Sequence, residues 1–194
     1  MILDQRPAGE TKILASSSEI PLENDSMDVS YSKAVTAWSD EPRRAIAEQL
    51  RVTRGGGVAV FTEFDWSDAG TGKHSSPEEG ERIARLKQTM VDVLGKSGFK
   101  PFYGGRLKAD IEEVIAQDGL DCRIEEVMHD FPEGDHRTLL LGAAFGLANL
   151  AEMRGLMNDE EIAAFQADIQ AIDALPSASF VVPRLVTQKV YLNS

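Results

Sequence analysis

The chain has 194 residues, with 20 Lys and Arg against 32 Asp and Glu, so its formal net charge is −12. This balance argues against binding to nucleic acid or to an anionic membrane, because contact with phosphates needs a basic face. The lone Cys122 excludes an internal disulfide, three scattered histidines give no metal-ligand spacing, and no apolar leader follows Met1, which together favour a cytoplasmic protein without a metal.

The first third of the chain is predicted to alternate strands with one helix. Residues 11–15 form a short apolar run, and residues 28–35 show the period-two pattern of a strand. Asp40 is a candidate cap for a helix over residues 41–51, which the glycines at 55–57 are expected to end as a turn. Residues 58–64 then have the continuous apolar character of a buried strand.

The pattern of the remaining residues predicts helices and two further strands. A capping box at residues 76–79 opens a helix, and the next helix ends before Gly119. Residues 122–128 alternate like a strand, residues 136–154 have a broad apolar helical face, and Asn158 with Glu161 caps the helix that follows. Residues 179–192 favour a long strand or a strand pair interrupted at Pro183. The apolar positions that define the helices are Ile83, Leu86, Met90 and Val93, then Leu107, Ile111, Val114 and Ile115, then Ile162, Phe165, Ile169 and Ile172.

This order of elements predicts an α/β sheet, because its strands are separated by helices. The final β-rich segment has no helix after it, so we expect it to close the sheet as an antiparallel strand. We interpret residues 1–194 as one domain in three parts: central strands in 1–66, a loop and helix in 67–105, and later strands with lid helices in 106–194.

Residues 13–66 resemble class I S-adenosylmethionine-dependent methyltransferases. The resemblance rests on the acidic loop of residues 20–28, the strand after it, the Glu48-x-x-Arg51-Val52 helix, the glycines at 55–57 and the strand that ends near Trp66. Gly55 stands where the family usually has proline, and Met27 where it usually has phenylalanine. Residues 106–192 follow the layout of the later part of the family more weakly. The resemblance implies a Rossmann-like methyltransferase sheet without its first strands, with a helical lid.

The cofactor loop of the family has no counterpart in this chain. In the family, a D-x-G-x-G-x-G loop lies under the methionine moiety, where glycine lets the backbone approach the ligand closely. The ten residues before Thr11 are too few for the missing strands, and Ser16-Ser17 stands where the family often has Asp-Ala. A split subunit, a degenerate pseudoenzyme and an excised piece of a larger protein all explain this pattern, and the split subunit is our preferred interpretation.

The resemblance implies an enzyme subunit completed by a partner that carries the N-terminal half and the glycine-rich loop. We expect displacement at carbon on a small molecule in natural-product biosynthesis. The reaction is either methyl transfer, with S-adenosylmethionine bound only when the partner is present, or a cofactor-free cyclisation like that of the aziridine-forming pair of azinomycin-type biosynthesis. The alternative is a non-catalytic regulatory or scaffolding subunit that stabilises an active methyltransferase partner.

The candidate site residues follow from their places at strand and helix ends. Ligands of doubly wound sheets bind outside the carboxyl ends of strands, so Glu63 and Asp65 are the candidate catalytic bases. Trp66, at the same strand end, and Arg106, at the start of a helix, are predicted to bind substrate. The resemblance implies that His136 and Arg137 also bind substrate, because the extra helices of the family cover the substrate pocket, and that Ser16, Ser17 and Ser32 bind the cofactor.

Overall fold

The computed structural model describes residues 15–69, 76–129, 137–175 and 182–194. A short 3-10 turn at Thr36–Trp38 accompanies nine helices and strands in this part of the chain. These are β1 (Met27–Lys33), α1 (Pro42–Val52), β2 (Thr53–Asp65), α2 (Pro77–Lys96), α3 (Gly104–Asp118), β3 (Cys122–His129), α4 (Arg137–Met153), α5 (Asp159–Asp173) and β4 (Arg184–Leu192).

The strands form one mixed sheet in the order β1-β2-β4-β3. β1 and β2 are parallel, while β4 lies antiparallel to both β2 and β3. The α/β class and the antiparallel closing strand are therefore confirmed. Because β1 and β2 run the same way, both end at one edge of the sheet, beside the amino terminus of α3.

The glycine run does not form the turn that the sequence predicts, because it lies inside β2. The pairing of β1 with β2 shifts between Met27 and Val29, so β2 carries extra residues at this point. A Cβ on Gly57 would lie 2.7 Å from the carbonyl oxygen of Asp28, and Gly56 has a φ of +78°. The glycines therefore allow an irregular strand to pass close to its neighbour. This packing explains why glycine occupies these positions without any role in ligand binding.

The helices follow the predicted apolar stripes. Asn158 and Glu161 form a complete capping box at α5, and the side chain of Ser76 accepts the N–H of Glu79 at the start of α2. The prediction that Asp40 caps α1 is wrong: the cap residue is Glu41, whose side chain makes no capping hydrogen bond, and Pro42 begins the helix. Proline suits this position because its fixed φ is helical and no N–H is required there.

The core lies between the sheet and the helices, and every stripe residue named above except Ile115 is buried in it, with Ile115 packed against its margin. On one face of β1, which is the first strand in the order of the described sheet, Val29 and Tyr31 are 59% and 61% exposed. No described helix is long and apolar enough to cross a membrane. The strand predicted at 11–15 lies outside the described residues apart from Ala15, as do residues 179–181 of the predicted final strand.

Candidate functional site

An open cleft lies at the carboxyl end of β1. It has a volume of about 710 Å³ and is formed by two short segments of chain. Its lining residues are Ala15, Ser16, Ser17, Ser18, Ile20, Ala34, Val35, Trp38, Ser39, Asp40 and Glu41. This is the position at which open α/β sheets bind ligands. Trp38 is 44% exposed, and the centroid of its ring lies 5.1 Å from that of the Phe99 ring.

The Glu48-x-x-Arg51 pattern holds one wall of this cleft in place. A carboxylate oxygen of Glu48 accepts the backbone N–H of Ile20 at 2.8 Å, and the guanidinium of Arg51 donates to the carbonyls of Ile20 and Leu22 at 2.8 Å each. The hydrogen bond from Arg51 lowers the pKa of Glu48. The acidic loop and the helix pattern of the resemblance therefore occur together because the helix binds the loop.

Glu63 is fully buried and its carboxylate binds backbone amides. Its Oε1 accepts the N–H groups of Val35, Thr36 and Ala37 at 3.1, 2.7 and 3.3 Å, while its Oε2 has no partner among the described residues. Burial raises the pKa of Glu63, and the amide hydrogen bonds only partly oppose this increase. The carboxylate thus fixes the turn after β1, which forms the floor of the cleft.

Asp65 and Trp66 follow β2 at the same edge of the sheet. Asp65 Oδ1 accepts from the backbone N–H and the hydroxyl of Ser67 at 3.0 and 2.5 Å, while no hydrogen bond from a described residue reaches its Oδ2. Trp66 is 7% exposed, within the core, and its indole N–H lacks a partner in the described part of the chain. Asp65 is therefore the more accessible of the two predicted bases, and substrate binding by Trp66 stays a prediction.

The start of α3 packs tightly against this strand end. A Cβ on Gly104 would lie 2.9 Å from the carbonyl carbon and oxygen of Phe64 and 3.0 Å from Cβ of Asp65. A larger residue at 104 would push α3 away from β2. Glycine at this position therefore sets how close Tyr103 and Arg106, on either side of it, come to the carboxyl edge of the sheet.

The predicted cofactor serines lie on or near the cleft. Ser16 and Ser17 line it, and Ser16 Oγ accepts the N–H of Ser18 at 3.2 Å. Ser32 lies near the end of β1, two residues before the lining residue Ala34, and its buried hydroxyl lacks a partner among the residues described. The structure thus brings Ser16 and Ser17 together at one cavity and places Ser32 next to it.

Arg106 belongs to an ionic cluster that the sequence does not reveal. The carboxylate of Asp110, 3% exposed, accepts from the Tyr103 hydroxyl at 3.0 Å, from Arg43 Nε at 3.0 Å and from Arg106 Nε at 3.3 Å. Burial raises the pKa of Asp110, but the hydrogen bonds from Arg43, Tyr103 and Arg106 outweigh it and hold the pKa below its usual value. An acid three residues after Leu107, on the apolar face of α3, was the signal available in the sequence.

The side chains of the other two predicted substrate residues lie outside the described part of the structure. His136 lies outside the described residues, and Arg137 is the first residue of α4, with only its backbone described. Within the described ranges, no three His, Cys, Asp or Glu residues are grouped so that they could hold a metal ion.

The cleft has polar side chains of the kind that an adenosyl cofactor needs on one side. Four serines, with Asp40 and Glu41, offer hydroxyl and carboxylate partners to a polar ligand, but none of the residues described on the cleft wall is a glycine. A phosphate-free nucleoside needs such polar partners on one side and close backbone approach on the other. The described wall offers the first of these, and none of its described residues is a glycine that would offer the second.

Comparison with known proteins gives the class of this fold. A family model described as a methyltransferase domain matches residues 3–61. A malonyl-[acyl-carrier protein] O-methyltransferase from Serratia marcescens is 38% identical over 58 residues, which are 30% of this chain and 23% of that protein. The chain therefore spans less than a quarter of the length of this curated relative.

The chain also resembles solved structures at low sequence identity, a likeness that concerns the fold alone. The [4+2]-cyclase SpnF superposes with a TM-score of 0.50 at 15% identity, covering 93% of this chain and 56% of that one. A geranyl diphosphate C-methyltransferase from Streptomyces coelicolor A3(2), in complex with S-adenosyl-L-homocysteine, has a TM-score of 0.41 at 13% identity and covers 92% and 52% of the two chains. The described four-stranded sheet with its helices therefore has the Rossmann-like fold of class I S-adenosylmethionine-dependent methyltransferases, and residues 3–61 match a methyltransferase domain.

Proposed function

We propose that this chain is one subunit of a two-chain methyltransferase-like enzyme that catalyses displacement at carbon on a small molecule. The observation that carries the proposal is the polar cleft at the carboxyl end of β1, in a segment that matches a methyltransferase domain. S-adenosylmethionine would lie against Ser16 and Ser17. When bound, this cofactor supplies an electrophilic methyl group.

The outer edge of β1 is the proposed attachment site of the partner. Among the described residues, β1 pairs only with β2, so its other backbone edge is unpaired, and Val29 and Tyr31 are exposed on one face of the strand. An unpaired edge with large apolar side chains favours the addition of another strand. A partner strand here would bring its own connecting loop to the cleft, which is where the glycine-rich backbone is required.

Catalysis in this proposal depends mainly on positioning. Holding a nucleophile in line with the carbon that it attacks removes much of the entropic barrier. Glu63 contributes by fixing the turn at Val35–Ala37 through its Oε1. Of the two predicted bases, Asp65 retains an oxygen that accepts no hydrogen bond from the described residues, so we assign it the role of proton acceptor.

A non-catalytic subunit is the second candidate. It is favoured by the fact that both acids bond to the chain itself: Glu63 to backbone amides and Asp65 to Ser67. In this case the chain would stabilise an active methyltransferase partner. The narrower form of the first proposal, aziridine or azabicycle formation in natural-product biosynthesis, requires the pair to react without S-adenosylmethionine.

Calorimetry on the full chain, alone and co-expressed with the product of the neighbouring reading frame, tests these proposals. We expect S-adenosylmethionine to bind the pair and not the chain alone. Binding by the chain alone would contradict the need for a partner. A pair that neither binds the cofactor nor converts a substrate would contradict the enzymatic proposal. In an active pair, Asp65→Asn should lower kcat while the affinity for the cofactor is retained, and Asp118→Asn, an exposed substitution of the same kind at the far end of α3, is the control.

A further inference from the structure

A second cavity lies between the amino-terminal ends of α1 and α3. It has a volume of about 460 Å³ and shares one wall residue, Glu41, with the cleft described above. Its lining residues are Glu41, Pro42, Arg43, Arg44, Lys100, Tyr103, Arg106 and Asp110. The lining has four cationic side chains and two carboxylates, in a protein whose net charge is −12. This local excess of positive charge is opposite to the charge of the whole chain.

Two of the guanidinium groups are held in place by one buried acid. Asp110 binds Nε of both Arg43 and Arg106, and the Tyr103 hydroxyl donates to its other oxygen at 3.0 Å. Arg43 also pairs with Glu113 through one terminal nitrogen. Anchoring at Nε reduces the entropy that each long side chain would lose when it binds a ligand.

Several donors in this cavity have no acceptor in the described part of the chain. Neither terminal nitrogen of Arg106 donates to a described residue, and Arg44 has only a 3.4 Å contact with Glu41. Arg44 and Arg106 are 57% and 64% exposed at their side chains, so both are accessible to a ligand. A planar guanidinium with free terminal nitrogens matches the geometry of carboxylate and phosphate oxygens.

We propose that this cavity is a binding site for the carboxylate or phosphate group of a small molecule, with Arg44 and Arg106 as its ligands and Asp110 as the residue that positions Arg106. The volume exceeds that of the anionic group alone, and Pro42 with the Tyr103 ring provides apolar surface for the rest of the molecule. The anion site itself does not depend on the cleft or on the proposed function. The further statement that the bound molecule is the substrate of the proposed enzyme rests on the proposed function.

Titration calorimetry with inorganic phosphate and, separately, with succinate tests this site at low ionic strength, where screening is weak. We expect one or both anions to bind the full chain, and the anion that binds more tightly identifies the chemical class of the ligand. The double variant Arg44→Gln/Arg106→Gln should weaken that binding at least about tenfold, because it removes the charge-assisted hydrogen bonds. No cofactor or partner is added, so the result does not depend on the proposed function.

Arg54→Gln is the matched control. Arg54 lies near the start of β2, at the opposite end of the strand from Asp65, and it pairs with Asp28 at 2.5 Å. Arg54→Gln removes one positive charge, as the substitution of either Arg44 or Arg106 does, but it removes the charge outside the cavity. Its affinity for the anion should therefore stay within about twofold of the parent. Circular dichroism confirms that the variants fold. Failure of both anions to bind, or equal weakening in Arg54→Gln, would overturn the proposal.

Discussion

The two buried carboxylates Glu63 and Asp110 differ in what they bind. Glu63 accepts backbone N–H groups and has no cation as a hydrogen-bond partner among the described residues, whereas Asp110 accepts from one phenol and two guanidinium groups. Accordingly the pKa of Glu63 is raised by burial, while the hydrogen bonds to Asp110 overcome its burial and lower its pKa. Burial alone therefore does not decide whether a carboxyl group stays charged; the donors around it do.

Glu63 and Asp110 also differ in what they hold in position. Glu63 fixes a segment of backbone that forms the floor of the cleft, and Asp110 fixes side chains that line the second cavity. Substitutions at these two acids should consequently differ in size, in pH dependence and in which cavity they disturb.

The largest effect is expected for Glu63→Ala. It leaves the amides of Val35, Thr36 and Ala37 without their acceptor, which should lower the free energy of unfolding by about 3 kcal/mol. Urea denaturation measures this loss. Glu63→Gln is the control, since it keeps an acceptor oxygen and should lose less than half as much. A loss below about 1 kcal/mol in Glu63→Ala would mean that water replaces the carboxylate without cost.

Asp110→Asn should have the next largest effect. It removes the charge that holds Arg43 and Arg106, and we expect a loss of about 2 kcal/mol in unfolding free energy. Asp118→Asn, an exposed substitution at the end of the same helix, should stay within about 0.5 kcal/mol of the parent. Equal stability of the two variants would show that the cluster at Asp110 contributes nothing to folding.

The pH dependence of the two acids should have opposite signs. The raised pKa of Glu63 means that its contribution is fully present below the unfolded value of about 4.3 and is lost as pH rises through the folded pKa. The lowered pKa of Asp110 means that its contribution is present above about 3.9 and is lost as pH falls. Urea denaturation across this acidic range should show the stability advantage of the parent shrinking with rising pH relative to Glu63→Gln and growing relative to Asp110→Asn. Changes in the same direction would contradict the comparison.

The smallest of these effects is expected for Tyr103→Phe. The ring keeps its packing, and only the hydroxyl that donates to Asp110 is removed, so about 1 kcal/mol should be lost. Thermal unfolding followed by circular dichroism measures it. A loss as large as that of Asp110→Asn would mean that the phenol, and not the arginines, keeps the carboxylate charged.

The sequence predicted most of the fold because its apolar spacing is regular. The stripe from Ile83 to Val93 and the capping box at Asn158 determine their helices locally, and each occurs where expected. The glycines at 55–57 were predicted wrongly, since a bulged strand and a turn use the same residue type. Pattern alone could not show that Glu63 would bind amides from a distant turn, because that contact spans 27 positions of the chain.

The candidate site was predictable only in outline. The rule that ligands bind at the carboxyl ends of strands suggested Asp65, and the resemblance suggested Ser16 and Ser17; the roles of all three stay predictions. The clustering of Arg43 with Arg106 depends on how α1 packs beside α3, and no local pattern specifies that packing.

Amide hydrogen exchange on the full chain with its co-expressed neighbour, with and without S-adenosylhomocysteine, tests the central claim most directly. The claim is that the cleft at the carboxyl end of β1 is the ligand site of a methyltransferase-like fold. We predict that the ligand slows exchange in residues 16–20 and 34–41 and leaves β4 unchanged. Ligand binding that protects other segments while these two exchange as before would contradict it.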